Sequence, residues 1–167
     1  MHIFNITDPL NYTFNYNAVE TSALRTRTYK TLSHEDLRRI ALWKLDRVID
    51  VPNDLLVKLR ALAVQKPLTA RAPQAVCVLN ELVECEGVGY PMASAFLKFI
   101  RPTVFPIIDV RAYRALTGTR LRYNDYNTEL YLGYVDQVSE IATQLKVPLA
   151  IVDEQLYCYD KVKNGKI

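Results

Sequence analysis

Asp109 is a lone carboxylate in a basic field. Between Gly87 and Asn124 it is accompanied by Lys98, Arg101, Arg111, Arg114, Arg120 and Arg122, whereas the rest of the chain carries fifteen basic and seventeen acidic side chains. The 167 residues sum to a formal net charge of only +3, so positive potential is gathered into one segment, as on a surface that tracks phosphates. At the head of that segment Gly87-Val88-Gly89 separates two runs of helical apolar spacing: Leu79, Leu82 and Val83 before it, then Met92, Ala93, Phe96, Leu97 and Ile100. Both glycines tolerate positive φ, so the chain is expected to reverse there. The turn's backbone N–H groups would then face outward beside the start of the second helix, a geometry that favours anions. A plain αα-hairpin inside a helical domain satisfies the same pattern.

A carboxylate beside such a cradle suits chemistry that builds positive charge on a sugar. Hydrolysis of an N-glycosidic bond passes through an oxocarbenium-like transition state. A neighbouring carboxylate stabilises that charge and orients or deprotonates the attacking water. As the expected N-cap of a following helix, Asp109 would be favoured in its ionised form, which this role requires. The plainer reading of Asp109 is a helix cap and nothing more.

The stretch from Leu79 to Leu116 resembles the signature of the helix-hairpin-helix DNA glycosylases, the superfamily of endonuclease III, the adenine-mismatch glycosylases and the eukaryotic 8-oxoguanine glycosylases. Its members share Leu-Pro-Gly-Val-Gly, a helix with an early Ala, a loop ending in a Pro, and an Asp at a set distance that opens another helix. Here Cys85-Glu86-Gly87-Val88-Gly89, Ala93 and Phe105-Pro106-Ile107-Ile108-Asp109 take those places, with Asp109 20 positions beyond Gly89. The chain departs from the pattern twice. Cys85-Glu86 replaces the leucine-proline, and Pro91 stands where bifunctional members carry the lysine that forms a Schiff base.

The resemblance implies a monofunctional, water-using enzyme acting on a nucleotide swung out of the DNA stack, with Asp109 catalytic. It implies that the amides of Gly87, Val88 and Gly89 hold one phosphate while Lys98, Arg101, Arg111 and Arg114 neutralise neighbouring ones. It also implies a K+ or Na+ ion on backbone carbonyls, by position those of Val83, Cys85 and Val88, and no other cofactor. The iron-sulfur cluster of some relatives needs four cysteines, and this chain has three, Cys77, Cys85 and Cys158. Their separation excludes metal-ligand spacing and suggests reduced, partly buried thiols.

The elements that must position these residues are helical. Residues 1–32, rich in Asn, Thr and Tyr, read as an extended or irregular arm, and 33–167 as an all-α domain built around the hairpin at about 75–101 and the Asp109 loop and helix at 102–117. Ser33-His34-Glu35-Asp36 resembles a capping arrangement, and Leu37, Ile40, Ala41, Leu45 and Val48 form the expected buried arc of that helix. Trp43, the only tryptophan, could stack on an extruded base. Lys44 within the arc either enters the base pocket or snorkels to water. A second helix is expected from Pro52-Asn53-Asp54 to about Lys66 and a third from Pro73 into the hairpin. A short helix from Val110 to Leu116 ends at Gly118, and a long amphipathic one carries Leu130, Tyr134, Val138, Ile141 and Leu145. Pro148 precedes the last, which holds Ile151, Val152, Leu156 and Tyr159. Tyr113, Tyr123, Tyr126, Tyr131 and Tyr134 cluster after Asp109, to line a base pocket, stack on nucleotides or pack half-buried.

With 50% hydrophobic residues, no long apolar run and no leader at Met1-His2-Ile3-Phe4, the chain reads as soluble and cytoplasmic, with DNA as partner, no membrane and no obligatory protein partner. The expected activity is a DNA glycosylase of base-excision repair that removes a damaged, mispaired or modified base. The base and the choice between single and double strands stay open. One alternative is a non-catalytic helix-hairpin-helix DNA-binding module; a weaker one is a helical domain whose basic face meets an acidic protein.

Overall fold

Among the residues that the computed structural model describes, 17–27, 33–45 and 48–166, every regular element is helical. The chain divides into two units, Met1–Val48 and Ile49–Ile167. No helix among the described residues is long and apolar enough to cross a membrane.

The first unit contains α1, Ala18–Thr26, and α2, His34–Lys44. Part of the expected irregular arm is therefore a helix; residues 1–16 and 28–32 lie outside the described residues. At α2 the capping expectation holds. Ser33 Oγ accepts from the Asp36 N–H at 3.2 Å, and Asp36 Oδ2 accepts from the Ser33 N–H at 2.8 Å, so two amides at the helix start are satisfied reciprocally. Asp36 also takes the Arg27 guanidinium and is buried. The expected apolar arc is another matter. Leu37 is 53% and Leu45 68% exposed, Ala41 is exposed, and Ile40 and Val48 are only half-buried.

The second unit holds α3, Asn53–Val64; α4, Pro73–Glu84; α5, Tyr90–Ile100; α6, Val110–Thr117; α7, Thr128–Leu145; and α8, Leu149–Lys163. Each long helix buries one stripe: Leu55, Leu59 and Leu62 on α3; Ala75, Val78, Leu79 and Leu82 on α4; Tyr131, Tyr134, Val135 and Val138 on α7. Proline at the first position of α4 opens that helix at no cost in hydrogen bonds. Gly118 at φ 73° closes α6, and Asn127 caps α7 through the Leu130 N–H at 2.9 Å. The stripes meet in one core, α3 on α4, α4 on α5, α7 on α8 and α6 on α8. Some helix ends escape it: Leu145 is 66% and Tyr159 56% exposed.

Candidate functional site

The loop that presents Asp109 is bound by side chains from three helices. After Arg101 the chain turns once, with the N–H groups of Val104 and Phe105 both donating to the Arg101 carbonyl. It then runs without regular structure through Phe105-Pro106-Ile107-Ile108, and among the described residues there is no strand for it to pair with. A buried backbone without partners is costly, and here side chains supply four of the hydrogen bonds. The Ile107 N–H donates to Asp153 Oδ2 at 2.9 Å and the Ile108 N–H to Ser94 Oγ at 3.1 Å. The Tyr131 hydroxyl donates to the Pro106 carbonyl at 3.1 Å and the Tyr134 hydroxyl to the Ile107 carbonyl at 2.9 Å. Phe105 and Ile108 are sealed into the core.

Asp109 emerges from that clamp as the N-cap of α6. Its Oδ1 accepts from the Ala112 N–H at 2.7 Å; among the described residues Oδ2 accepts no hydrogen bond, and the residue is half-buried. Near it stands Tyr126, whose hydroxyl is buried without a hydrogen-bond partner among the described residues. Its pKa is pushed up to about 12, by burial first and then by the charge of Asp109. The Tyr126 ring stacks on Tyr90 at 6.4 Å. The Tyr90 hydroxyl bonds Thr128 Oγ1 at 2.9 Å, and Thr128 in turn donates to Asn80 at 2.6 Å. This chain of contacts ties α4, α5 and α7 together beside the acid.

The hairpin forms, with one change in its expected geometry. α4 and α5 are joined by Cys85–Gly89, and the Val88 N–H donates to the Cys85 carbonyl at 3.1 Å. Gly87 has φ 77°, but Gly89, the N-cap of α5, has φ −95°. Only the first glycine uses left-handed backbone. Val88 is buried, so its side chain anchors the turn. Among the described residues no hydrogen bond engages the N–H groups of Gly89 and Tyr90, so the start of α5 presents free donors.

The basic field is distributed differently from the expectation. Lys98 is 4% exposed, and its ammonium sits 2.8 Å from both oxygens of Asp153 and from Glu154 Oε1. Arg101 folds back on the end of α3, donating to the carbonyls of Leu62 at 3.1 Å and of Gln65. Arg111 and Arg114 both bind Asp160, which is fully enclosed, at 3.1 and 2.7 Å. Arg111 also donates to the Gly165 carbonyl at 2.8 Å and lies 5.8 Å over the Tyr157 ring. The Arg114 guanidinium, with Asn164 and Arg111 adding to it, holds the Asp160 carboxyl well below the usual carboxylate range. The expected surface role of Lys98, Arg101, Arg111 and Arg114 is thus corrected: these cations fasten α3, α5, α6 and α8 together. A buried ammonium demands a partner, and α8 supplies one.

Tyr113 is half-buried on α6, its ring tilted against Tyr134 at 6.2 Å. Trp43 and Lys44 belong to the other unit. The Trp43 indole donates to Thr21 Oγ1 at 2.9 Å and lines a groove of about 270 Å³ with Leu24, Arg25 and Ile40; Lys44 is exposed at the end of α2. Of the three cysteines, only Cys85 is half-buried, and Cys77 and Cys158 are exposed, more open than expected. Among the described residues no group of three or more His, Cys, Asp or Glu side chains could hold a metal ion.

Comparison of the chain with protein-family models, with curated proteins and with solved structures gives no match. The site therefore rests on its own geometry. Three of its supports went unread in the sequence, Ser94, Asp153 and Asp160. Each is a polar residue within an apolar stripe, next to Ala93, next to Val152 and four positions after Leu156. That signal was available, since a polar group on a core face must find a partner.

Proposed function

We propose that this chain is a monofunctional DNA glycosylase in which Asp109 stabilises the developing sugar cation and orients water, while the α4–α5 turn takes a phosphate of the extruded nucleotide. The observation that carries the reading is the state of Asp109: half-buried at the end of a clamped loop, with Oδ1 on the Ala112 amide and Oδ2 accepting nothing among the described residues. A carboxylate held by one oxygen is oriented and still has lone pairs for a water or a sugar carbon. The free N–H groups of Gly89 and Tyr90 at the start of α5, in the same unit, suit a phosphate.

A monovalent cation on the carbonyls of Val83, Cys85 and Val88 belongs to the same proposal. The Cys85 carbonyl, which accepts from Val88, keeps a second lone pair for it, and a bound ion would add positive charge beside the phosphate.

The test is base release from a panel of oligonucleotides, each carrying one altered base, followed by alkaline cleavage of the abasic product. Asp109→Asn keeps a good N-cap residue, so the fold should persist, and release should fall by about 10²- to 10⁴-fold with salt-sensitive binding retained. A second reading, a non-catalytic DNA-binding module, is favoured by the cap itself, which gives Asp109 a structural reason to be there. It predicts no release by either protein and equal binding by both.

A further inference from the structure

The hairpin turn has two unlike flanks. On the side of Cys85 and Glu86, a groove of about 570 Å³ is lined by Asp50, Asp54, Glu81 and Glu84, with Lys58 as the sole cation and that one paired to Glu81 at 2.5 Å. A phosphate chain is repelled there. On the side of Gly89 lies the ring of Tyr123, so close that a β-carbon on Gly89 would sit 3.7 Å from its Cε2. Tyr123 is 83% exposed, although Tyr131 and Tyr134 of the same cluster are enclosed with their hydroxyls bound. An aromatic ring left in water forgoes the burial that normally favours it.

The residues leading to Tyr123 carry the matching charge. Arg120-Leu121-Arg122 precedes the 3-10 turn Tyr123–Asp125, with Leu121 buried and both arginines exposed. The buried Leu121 is thus flanked on both sides in sequence by an arginine in solvent. Neither has an ion-pair partner among the described residues, unlike Lys98, Arg111 and Arg114. Asp125, the nearest carboxylate in sequence, is engaged by the Arg122 N–H at 2.6 Å.

We infer that Arg120, Arg122 and Tyr123 form the DNA-contact strip of this unit, the two arginines on the backbone phosphates and the Tyr123 ring as a platform for an unpaired base. The choice of DNA rests on the proposed function. The preference for unpaired bases rests on the strip, because a stacking platform needs a base face that an intact duplex hides. Two phosphates held beside one stacked base grip a single strand or an extruded nucleotide.

Fluorescence anisotropy with a fluorescein-labelled single strand of about 12 nucleotides, within the span of one binding module, and with its duplex tests this. The single strand should bind more tightly. Tyr123→Ala should weaken it by about ten-fold or more and Tyr123→Trp should not, since stacking is what is lost. Arg120→Gln and Arg122→Gln should each lower the slope of log affinity against log salt by about 0.7. Thermal melts matching the wild type would show that these exposed positions fold normally. Wild-type affinity in Tyr123→Ala, unchanged salt slopes in the arginine variants, or tighter binding of an RNA strand of the same sequence would overturn the inference. Base release by the wild type together with an indifferent Tyr123→Ala sinks the strip and leaves the glycosylase standing. Tyr123-dependent binding without base release does the reverse.

Discussion

Lys98 and Asp153 form a buried ion pair, 2.8 Å apart and 4% and 3% exposed, across the gap between α5 and α8. Asp153 Oδ2 also accepts the Ile107 N–H, so the pair that joins two helices also fastens the loop before Asp109. Breaking a buried pair by removing one partner is expensive, about 3–5 kcal/mol. Asp153→Leu leaves the ammonium with only the exposed carboxylate of Glu154 and strands the Ile107 amide, while Lys98→Met leaves the amide bond in place. Both variants should show a lower urea midpoint, with Asp153→Leu the worse. At a temperature where both remain folded, hydrogen exchange at Ile107 should be faster only in Asp153→Leu. Equal exchange in the two variants would mean that Asp153 does not hold the loop.

What was legible in the sequence was local. Ser33, Asp109 and Gly118 announce helix ends because a cap and the amides it serves lie within a few residues, and periodicity finds much of the α3 and α4 stripes but only part of that on α7, where it marks Leu145, which is exposed, and passes over Tyr131 and Val135, which are buried. What was not legible is long-range. Lys98 meets Asp153 and Arg114 meets Asp160 over 55 and 46 positions of sequence, and counting charges along the chain carries no information on depth. A cluster of cations therefore read as a surface, when four of its members are fasteners and the exposed pair, Arg120 and Arg122, lies at its end. The opposite error occurred at α2, where the apolar spacing of Leu37 and Leu45 suggested a buried arc that those residues do not form.

Asp160 makes the stability of this fold sensitive to acid. Its folded pKa lies below its unfolded value, held there first by Arg114 and then by Asn164 and Arg111. Below about pH 4 the unfolded chain binds a proton that the folded one refuses. The stabilisation is thus present above the unfolded pKa and drains away as pH falls further. Asp160→Asn should begin from a lower urea midpoint at pH 7 and lose less of it between pH 4 and 2 than the wild type. Parallel curves for the two proteins would show that the Asp160 carboxylate is not the linked group.

Tyr126 provides the alkaline counterpart. Its hydroxyl is buried beside Asp109 and unpartnered among the described residues, and such a group forfeits roughly 1–3 kcal/mol of solvation. Replacement by phenylalanine keeps the ring stacked on Tyr90 and removes the orphan, so Tyr126→Phe should be neutral or stabilising by about 1 kcal/mol at pH 7. With the folded pKa raised to about 12 from an unfolded value near 10, the folded state keeps a proton that the unfolded state releases. Wild-type stability should then decline as pH rises from about 10 to 12, more steeply than in Tyr126→Phe. A destabilised Tyr126→Phe at pH 7 would mean that the hydroxyl has a partner, and a water bridging it to Asp109 would be the first candidate to look for.

The two hairpin glycines should respond differently to the same substitution. Gly87 is exposed at φ 77°, in the left-handed region that costs an L-residue about 1–2 kcal/mol. Gly89 is at φ −95°, which any residue adopts, and an added β-carbon there meets Tyr123 Cε2 at an ordinary 3.7 Å. Gly87→Ala should therefore lower the urea midpoint by the left-handed cost. Gly89→Ala should lose less, up to about 1 kcal/mol, from the poorer cap on α5. Binding should rank the other way if the Gly89 flank carries the DNA, because the new methyl stands against the Tyr123 ring at the start of α5. Anisotropy and denaturation measured on both variants separate the two effects. If Gly87→Ala impaired binding and Gly89→Ala did not, the contact would have to be moved to the Cys85–Glu86 side, against the acidic groove.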